Sequence, residues 1–276
     1  MLSEKPESEK SAVLDYIFRN SGYIVMLAII YCMTTLIVIM EPKGFTIPVL
    51  ETTYDQFGAS LAGFILLLSI GSYLVYRHRF TTPPMPSGGE HIWGFSFLIY
   101  SITLAGLCLQ ALEISFADMT DPLIFLIWRS PMILWVCGML IGTTMLFTEN
   151  KRLVYGPAAL VFIFGEIWFI YGMLVVGDVI FTMYGFLYWE FVPMAFFMAI
   201  LWYYYGKKAE MSSPKMVALG FFLLGVVYIA WAFWAPFDEL HYIYYNWFNI
   251  YLVALGFMFA GFYALPKEMQ LLVKSR

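Results

Sequence analysis

The chain has 276 residues, of which 62% are hydrophobic and only 12% charged, with a mean hydropathy of +0.77 and a formal net charge of −4 at pH 7. Soluble domains hold about 45–50% apolar and about 25% charged residues, so this composition excludes a water-soluble globular protein. The weakly acidic balance also leaves nucleic acid out as a partner.

The apolar residues fall in blocks of about 20, the length a helix needs to cross a ~30 Å hydrocarbon core. Taken in order they predict eight spans, at 21–40, 58–76, 92–112, 122–147, 153–176, 180–205, 214–235 and 241–265. The expected fold is all-α, a polytopic transmembrane helical bundle. It divides into an N-terminal segment (1–20), a single membrane domain (21–265) and a short basic tail (266–276). Segment 1–20 is too acidic for a signal-peptide n-region, and no small-residue cleavage site follows the first span, so that span is predicted to be retained. The breaks carry turn and cap signals. Pro83, Pro84, Pro86, Gly88 and Gly89 cluster after the second span, Asp121-Pro122 opens the fourth, Ser213-Pro214 opens the seventh and Pro266 closes the eighth.

Charge sets the orientation. Of the 15 Lys and Arg residues, Arg129 lies inside a span. With both termini inside, 13 of the other 14 face the cytoplasm and only Lys43 lies outside, as the positive-inside rule requires. The localisation this implies is the cell membrane. The outer loops are acidic, and the longest, 41–57, has 17 residues, too few to fold alone. Any site is therefore built in the bundle or at its mouths.

Cys32, Cys108 and Cys137 sit within apolar blocks without metal or redox spacing and read as small buried residues. His78 and His91 fall at the inner face and His241 at the outer one, which does not suit paired haem ligation. No H-E-x-x-H, C-x-x-C or G-x-S-x-G occurs, so no cofactor is indicated. Asp118-Met119-Thr120-Asp121 has a DxxD spacing that suits magnesium and a diphosphate, and equally suits a loop ending in a helix cap. The aromatic and polar stretch 237–249 reads as an outer lid or an interfacial belt.

Three ionisable residues lie deep in the spans: Arg129, Glu166 and Glu190. Each costs about 2.5–3.5 kcal/mol at a span centre on insertion scales, so such groups face protein and pair. At 1.5 Å per residue they lie about 10, 15 and 15 Å below the outer end, on three consecutive helices. The expectation is one charge cluster, acting either as a packing device or as the floor of an outward-facing ligand pocket. Trp128, Trp168, Tyr171, Tyr184, Tyr188 and Trp189 lie on the same helices and are the expected aromatic lining. Pro193 removes a backbone hydrogen bond just after Glu190 and predicts a kink or hinge there.

The spans from the second to the eighth would form an outside-N, inside-C heptahelical unit. The stretches FSFLIYSITLAGLCLQALEIS (95–115), IWRSPMILWVCGMLIGTTMLFTENKR (127–152), YWEFVPMAFFMAILWYYYGKK (188–208) and KMVALGFFLLGVVYIAWAFW (215–234) carry a resemblance. This unit is similar to the N-terminal seven-transmembrane sensor region of prokaryotic histidine kinases. In that family a helix ends in an acidic Leu-Glu type turn and a Trp-Arg type entry opens the next, places taken here by 110–113 and by Trp128-Arg129. The family's longer outer excursion after the fifth span is replaced by 177–179, and the chain ends where a kinase would begin.

Three classes of function follow from these residues and the resemblance. One is a receptor-like sensory module that binds a small-molecule or lipid ligand and signals through a cytoplasmic or membrane protein partner in trans. Another is a transporter, channel or cofactor-free membrane subunit. The third is an intramembrane lipid-modifying enzyme with Glu166 and Glu190 as acid and base.

Overall fold

The structure, a computed structural model, describes residues 51–80, 89–112, 120–234 and 241–275. The predicted first span at 21–40 lies outside the described residues, as do Cys32, Glu113 and Asp118 and the side chains of 237–249. Among the described residues the protein is all-helical: α1 (Glu51–Phe80), α2 (Gly89–Ala111), α3 (Pro122–Thr144), α4 (Lys151–Ile170), α5 (Val179–Phe186), α6 (Val192–Lys208), α7 (Ser213–Trp234) and α8 (His241–Ser275). Two wide π turns, Tyr171–Val176 and Leu187–Phe191, extend α4 and join α5 to α6, so that α5 and α6 make one continuous rod. Six stretches are long and apolar enough to cross a membrane: Ser60–Phe80, Gly89–Gln110, Pro122–Thr144, Lys151–Val176, Phe181–Lys208 and Ile250–Met269. Ser213–Ile229 is a shorter apolar stretch of the same kind.

Each rod packs on its neighbours in the chain, and α8 returns to close against α1. Small residues set these close crossings, because helices in lipid associate by tight packing. A Cβ on Gly71 would stand 2.8 Å from the Gly94 carbonyl, and one on Gly220 would stand 2.7 Å from that of Ala254. The interior is aromatic: Trp93, Trp135, Trp202, Phe97, Phe191, Phe221 and Phe262 are all buried. Trp202 donates from Nε1 to the Thr143 hydroxyl at 3.1 Å, joining α6 to α3.

Cations gather at one end. Arg77 meets Glu90 there at 3.7 Å, both side chains nearly shielded from solvent, and Lys267 lies 4.7 Å over the Tyr263 ring. Glu268 accepts hydrogen bonds from both the amides and the hydroxyls of Ser212 and Ser213. It thereby satisfies amides at the start of α7 that have no partner within the helix.

Several boundaries differ from expectation. The helix α8 does not stop at Pro266 but runs to Ser275, so the basic tail continues the helix that Pro266 was expected to close. Proline removes one ladder bond, and the Glu268 contacts hold the turn that follows it. At the other end of the chain, α1 begins at Glu51 instead of Gly58, extending into the predicted 41–57 loop. Asp121 opens α3 as expected, its carboxylate accepting from the amides of Leu123 and Ile124 at 2.8 and 3.0 Å. Cap is therefore the role the structure gives the second aspartate of DxxD.

Candidate functional site

The site begins with how α4 meets α3. Only Val154, Ala158, Gly165 and Phe169 of α4 are buried, a narrow seam at intervals of four and seven. They face Ile133 and Cys137 on α3, where the Cys137 thiol donates to the Ala158 carbonyl at 3.3 Å. Both Cys137 and Cys108 are buried free thiols. The rest of α4 is a lipid-facing sheath of large apolar residues, including Leu160, Phe164 and Ile167, which continues into the π turn at Leu174.

Glu166 sits at the edge of that seam. Its Oε2 accepts from the Ser130 hydroxyl at 3.0 Å. Glu190 arrives from the opposite side, carried by the π turn Leu187–Phe191. There the Val192 amide reaches back five residues to the Leu187 carbonyl, and Pro193 follows with no amide to give. The proline ring also crowds the carbonyl four residues earlier, and the wider turn relieves it. Glu190 is thereby brought against the backbone of α4: a Cβ on Gly165 would stand 2.7 and 2.9 Å from its two carboxylate oxygens. Only glycine leaves that space. The carboxylates of Glu166 and Glu190 therefore share one locality and act electrostatically on each other and on Cys137. One oxygen of Glu190, Oε1, is buried without a hydrogen-bond donor among the described residues.

The α4–α5 hairpin fixes this juxtaposition. Gly177 closes it at φ +71°, a conformation that favours glycine. Asp178 caps α5 through the Phe181 amide at 3.0 Å. Trp168 lies flat on Gly185 and donates from Nε1 to the Thr182 carbonyl at 2.8 Å.

Arg129 does not join the carboxylates. It is buried on the other side of α3, where Nη2 donates to Gln110 Oε1 at 3.4 Å and Nε has no hydrogen-bond partner among the described residues. Residues 129 and 130 are consecutive and therefore about 100° apart around a helix, so Ser130 looks to α4 while Arg129 looks to α2 and α7. The Arg129 charge acts on the hydroxyls of Tyr100 and Tyr228. Those hydroxyls lie 2.9 Å apart, and Tyr251 donates to Tyr100 at 3.3 Å.

No protein-family model matches this chain. No curated protein and no solved structure matches it either. Function must therefore be argued from the chain's own residues.

The expected aromatic lining divides. Trp168 and Tyr184 pack partly buried against the core, and Trp128 lies over Gly106 on α2. Trp189 is 80% exposed and Tyr171 46%, so both belong to the outer sheath, and Tyr188 is exposed as well. Ser130 and Gly165 complete the geometry of the carboxylate pair without having been singled out in the sequence, and Gln110 was marked there only as the start of the 110–113 turn. The signal for Gly165 was its place beside Glu166, since small residues mark where another group approaches a helix in lipid.

Proposed function

We propose that the chain is a receptor-like, multi-pass module of the cell membrane. In this reading both termini are cytoplasmic, and the Glu166–Glu190 pair is reached from the outer half. The pair takes up a proton or a small cationic ligand, and the change in charge is passed to a separate protein partner at the basic end. The observation that carries this reading is the two carboxylates brought together around Gly165, with no cationic side chain within 4 Å of either among the described residues. Two adjacent anions in a low-dielectric interior repel strongly, so a proton or a cation belongs to the site. Intramembrane carboxylates of this kind mark functional positions.

A packed interior favours a receptor over a channel. Towards the basic end the interior is filled by Trp93, Trp202 and Phe262, all buried and in mutual contact. A gateless aqueous path does not fit through that plug. The weak likeness to histidine-kinase sensor regions points the same way. Transport is the second reading, favoured by the π turn in the Phe181–Lys208 rod at Glu190, since such turns inside helices gather at functional sites.

The test is infrared difference spectroscopy of the purified protein during a pH titration. A protonated-carboxyl band that titrates in the wild type and is lost in both Glu166→Gln and Glu190→Gln is the expected result. A spectrum unchanged by either substitution refutes the shared site. For the cationic ligand, tetramethylammonium should raise the melting temperature of the wild type and not of the double variant. Flux into liposomes that ignores both substitutions would remove the transport reading.

A further inference from the structure

The carboxylate pair is closed off towards the α4–α5 hairpin. Phe169 lies about one turn beyond Glu166 on α4, and Phe186 lies about one turn before Glu190. Their rings meet with centroids 4.8 Å apart, and Phe125 of α3 meets Phe169 edge-on at 5.2 Å. All three rings are buried. A route from water at that end down the α3–α4 interior to the carboxylates therefore runs into packed phenylalanines.

Sideways, the pair is open. Glu166, Glu190 and the Ser130 that donates to Glu166 are all partly exposed. Residues three and four apart share a helix face. On α3 the neighbours of Ser130 at those intervals, Ile127 and Leu134, are exposed. So are Phe162 and Ile170, about one turn to either side of Glu166 on α4. The outer groove between α3 and α4 thus shows a polar notch, Ser130 with Glu166, bordered above and below by apolar side chains. In a bilayer the medium at such a notch is acyl chain, and what arrives there is dissolved in the membrane. An ammonium head matches the carboxylates through charge-assisted N–H···O bonds, and an alkyl tail draws the molecule from water into the bilayer.

We propose that the Glu166–Glu190 site takes its ligand sideways from the bilayer, through the α3–α4 groove, and that this ligand is a long-chain amine. The amine arrives uncharged and meets a protonated carboxyl group. The carboxyl O–H bond breaks, an N–H bond forms on the amine, and an ammonium–carboxylate pair remains beside the second carboxyl group. Neither partner has to enter the hydrocarbon as a lone ion, which would be costly. The inference deepens the carboxylate-pair reading and rests on it.

The purified protein in phosphatidylcholine nanodiscs is treated with dicyclohexylcarbodiimide, which dissolves in the bilayer, or with a water-soluble cationic carbodiimide. Labelled carboxyl groups are located by peptide mass spectrometry, with the exposed Glu149 as the water-facing standard. Relative to Glu149, Glu166 is expected to be labelled at least tenfold faster by the bilayer-soluble reagent than by the water-soluble one. Dimethyldodecylamine, a tertiary amine that cannot form an amide, should slow the labelling of Glu166 at least fivefold. Trimethylamine should need at least ten times the concentration for the same protection. Labelling of Glu166 with no preference for the bilayer-soluble reagent, or by neither reagent, overturns the sideways route. Equal protection by the two amines, or none by either, overturns the ligand class. All these comparisons use the unaltered chain, so none depends on a variant that folds. Failure of the underlying reading shows elsewhere, as an infrared titration unchanged by Glu166→Gln and Glu190→Gln.

Discussion

Gly165 shows how much one missing side chain can decide. A methyl group there would stand 2.7 Å from the nearer Glu190 oxygen and 3.0 Å from the Ile133 methyl. The carboxylate is the far end of a flexible chain and can swing away, while the α3–α4 seam need hardly move. Gly165→Ala is therefore expected to cost only about 1 kcal/mol of stability, at the low end for added core volume. It should nevertheless abolish the titrating carboxyl signal as fully as Glu190→Gln does. A variant that keeps the wild-type signal would show that the two carboxylates do not depend on this approach. At this scale the sequence was partly legible. Arg129, Glu166 and Glu190 stood out because charge is rare in lipid, and their depths came from counting residues. Which way each pointed did not. The one-residue offset between Arg129 and Ser130 turns them to opposite sides of α3, and that angle depends on how α3 is rotated in the bundle.

Among the elements, α7 depends on a residue from α8. The amides and hydroxyls of Ser212 and Ser213 all bond to Glu268, so the α7 N-terminus is satisfied from outside its own segment. Removing a cap costs about 1–2 kcal/mol. Glu268→Ala should lower thermal stability by that amount and speed amide exchange at the start of α7, while Glu268→Gln, which keeps one acceptor oxygen, should lose less. Unchanged exchange there would argue against the cap. Helix positions were the most legible part of the sequence, because blocks of apolar residues fix them. The π turn at Glu190 was foreshadowed by Pro193, but its width was not. Wide turns arise from crowding among neighbouring helices as well as from proline, and only the former is invisible in one segment. The extension of α8 past Pro266 went unseen for the same reason: its support comes from Ser212 and Ser213, more than 50 residues away.

For the whole molecule, the gathering of basic side chains at one end ties orientation to a simple measurement. With the native cysteines replaced by serine or alanine, Asp178→Cys should react with a membrane-impermeant maleimide in intact cells. Lys208→Cys should react only after permeabilisation. The opposite pattern would invert the topology and place the carboxylate pair in the inner half. A partner that recognises the basic end should co-purify in mild detergent and be lost when Lys207, Lys208 and Lys215 are changed together to Gln. The exposure of α4 has a counterpart here, since it touches little besides α3 and the hairpin, so most of its surface solvates itself in lipid.

Glu268 also sets an order in time. Its carboxylate is made 55 residues after Ser213. At a synthesis rate of about 5–20 residues per second, that is a delay of roughly 3–11 s. Throughout that interval α7 exists with its first amides unanswered, held by water or by the membrane-insertion machinery. Completion of the α7 start is thus coupled to the emergence of α8, and a ribosome stalled before residue 268 would leave behind a chain whose α7 N-terminus is unfinished.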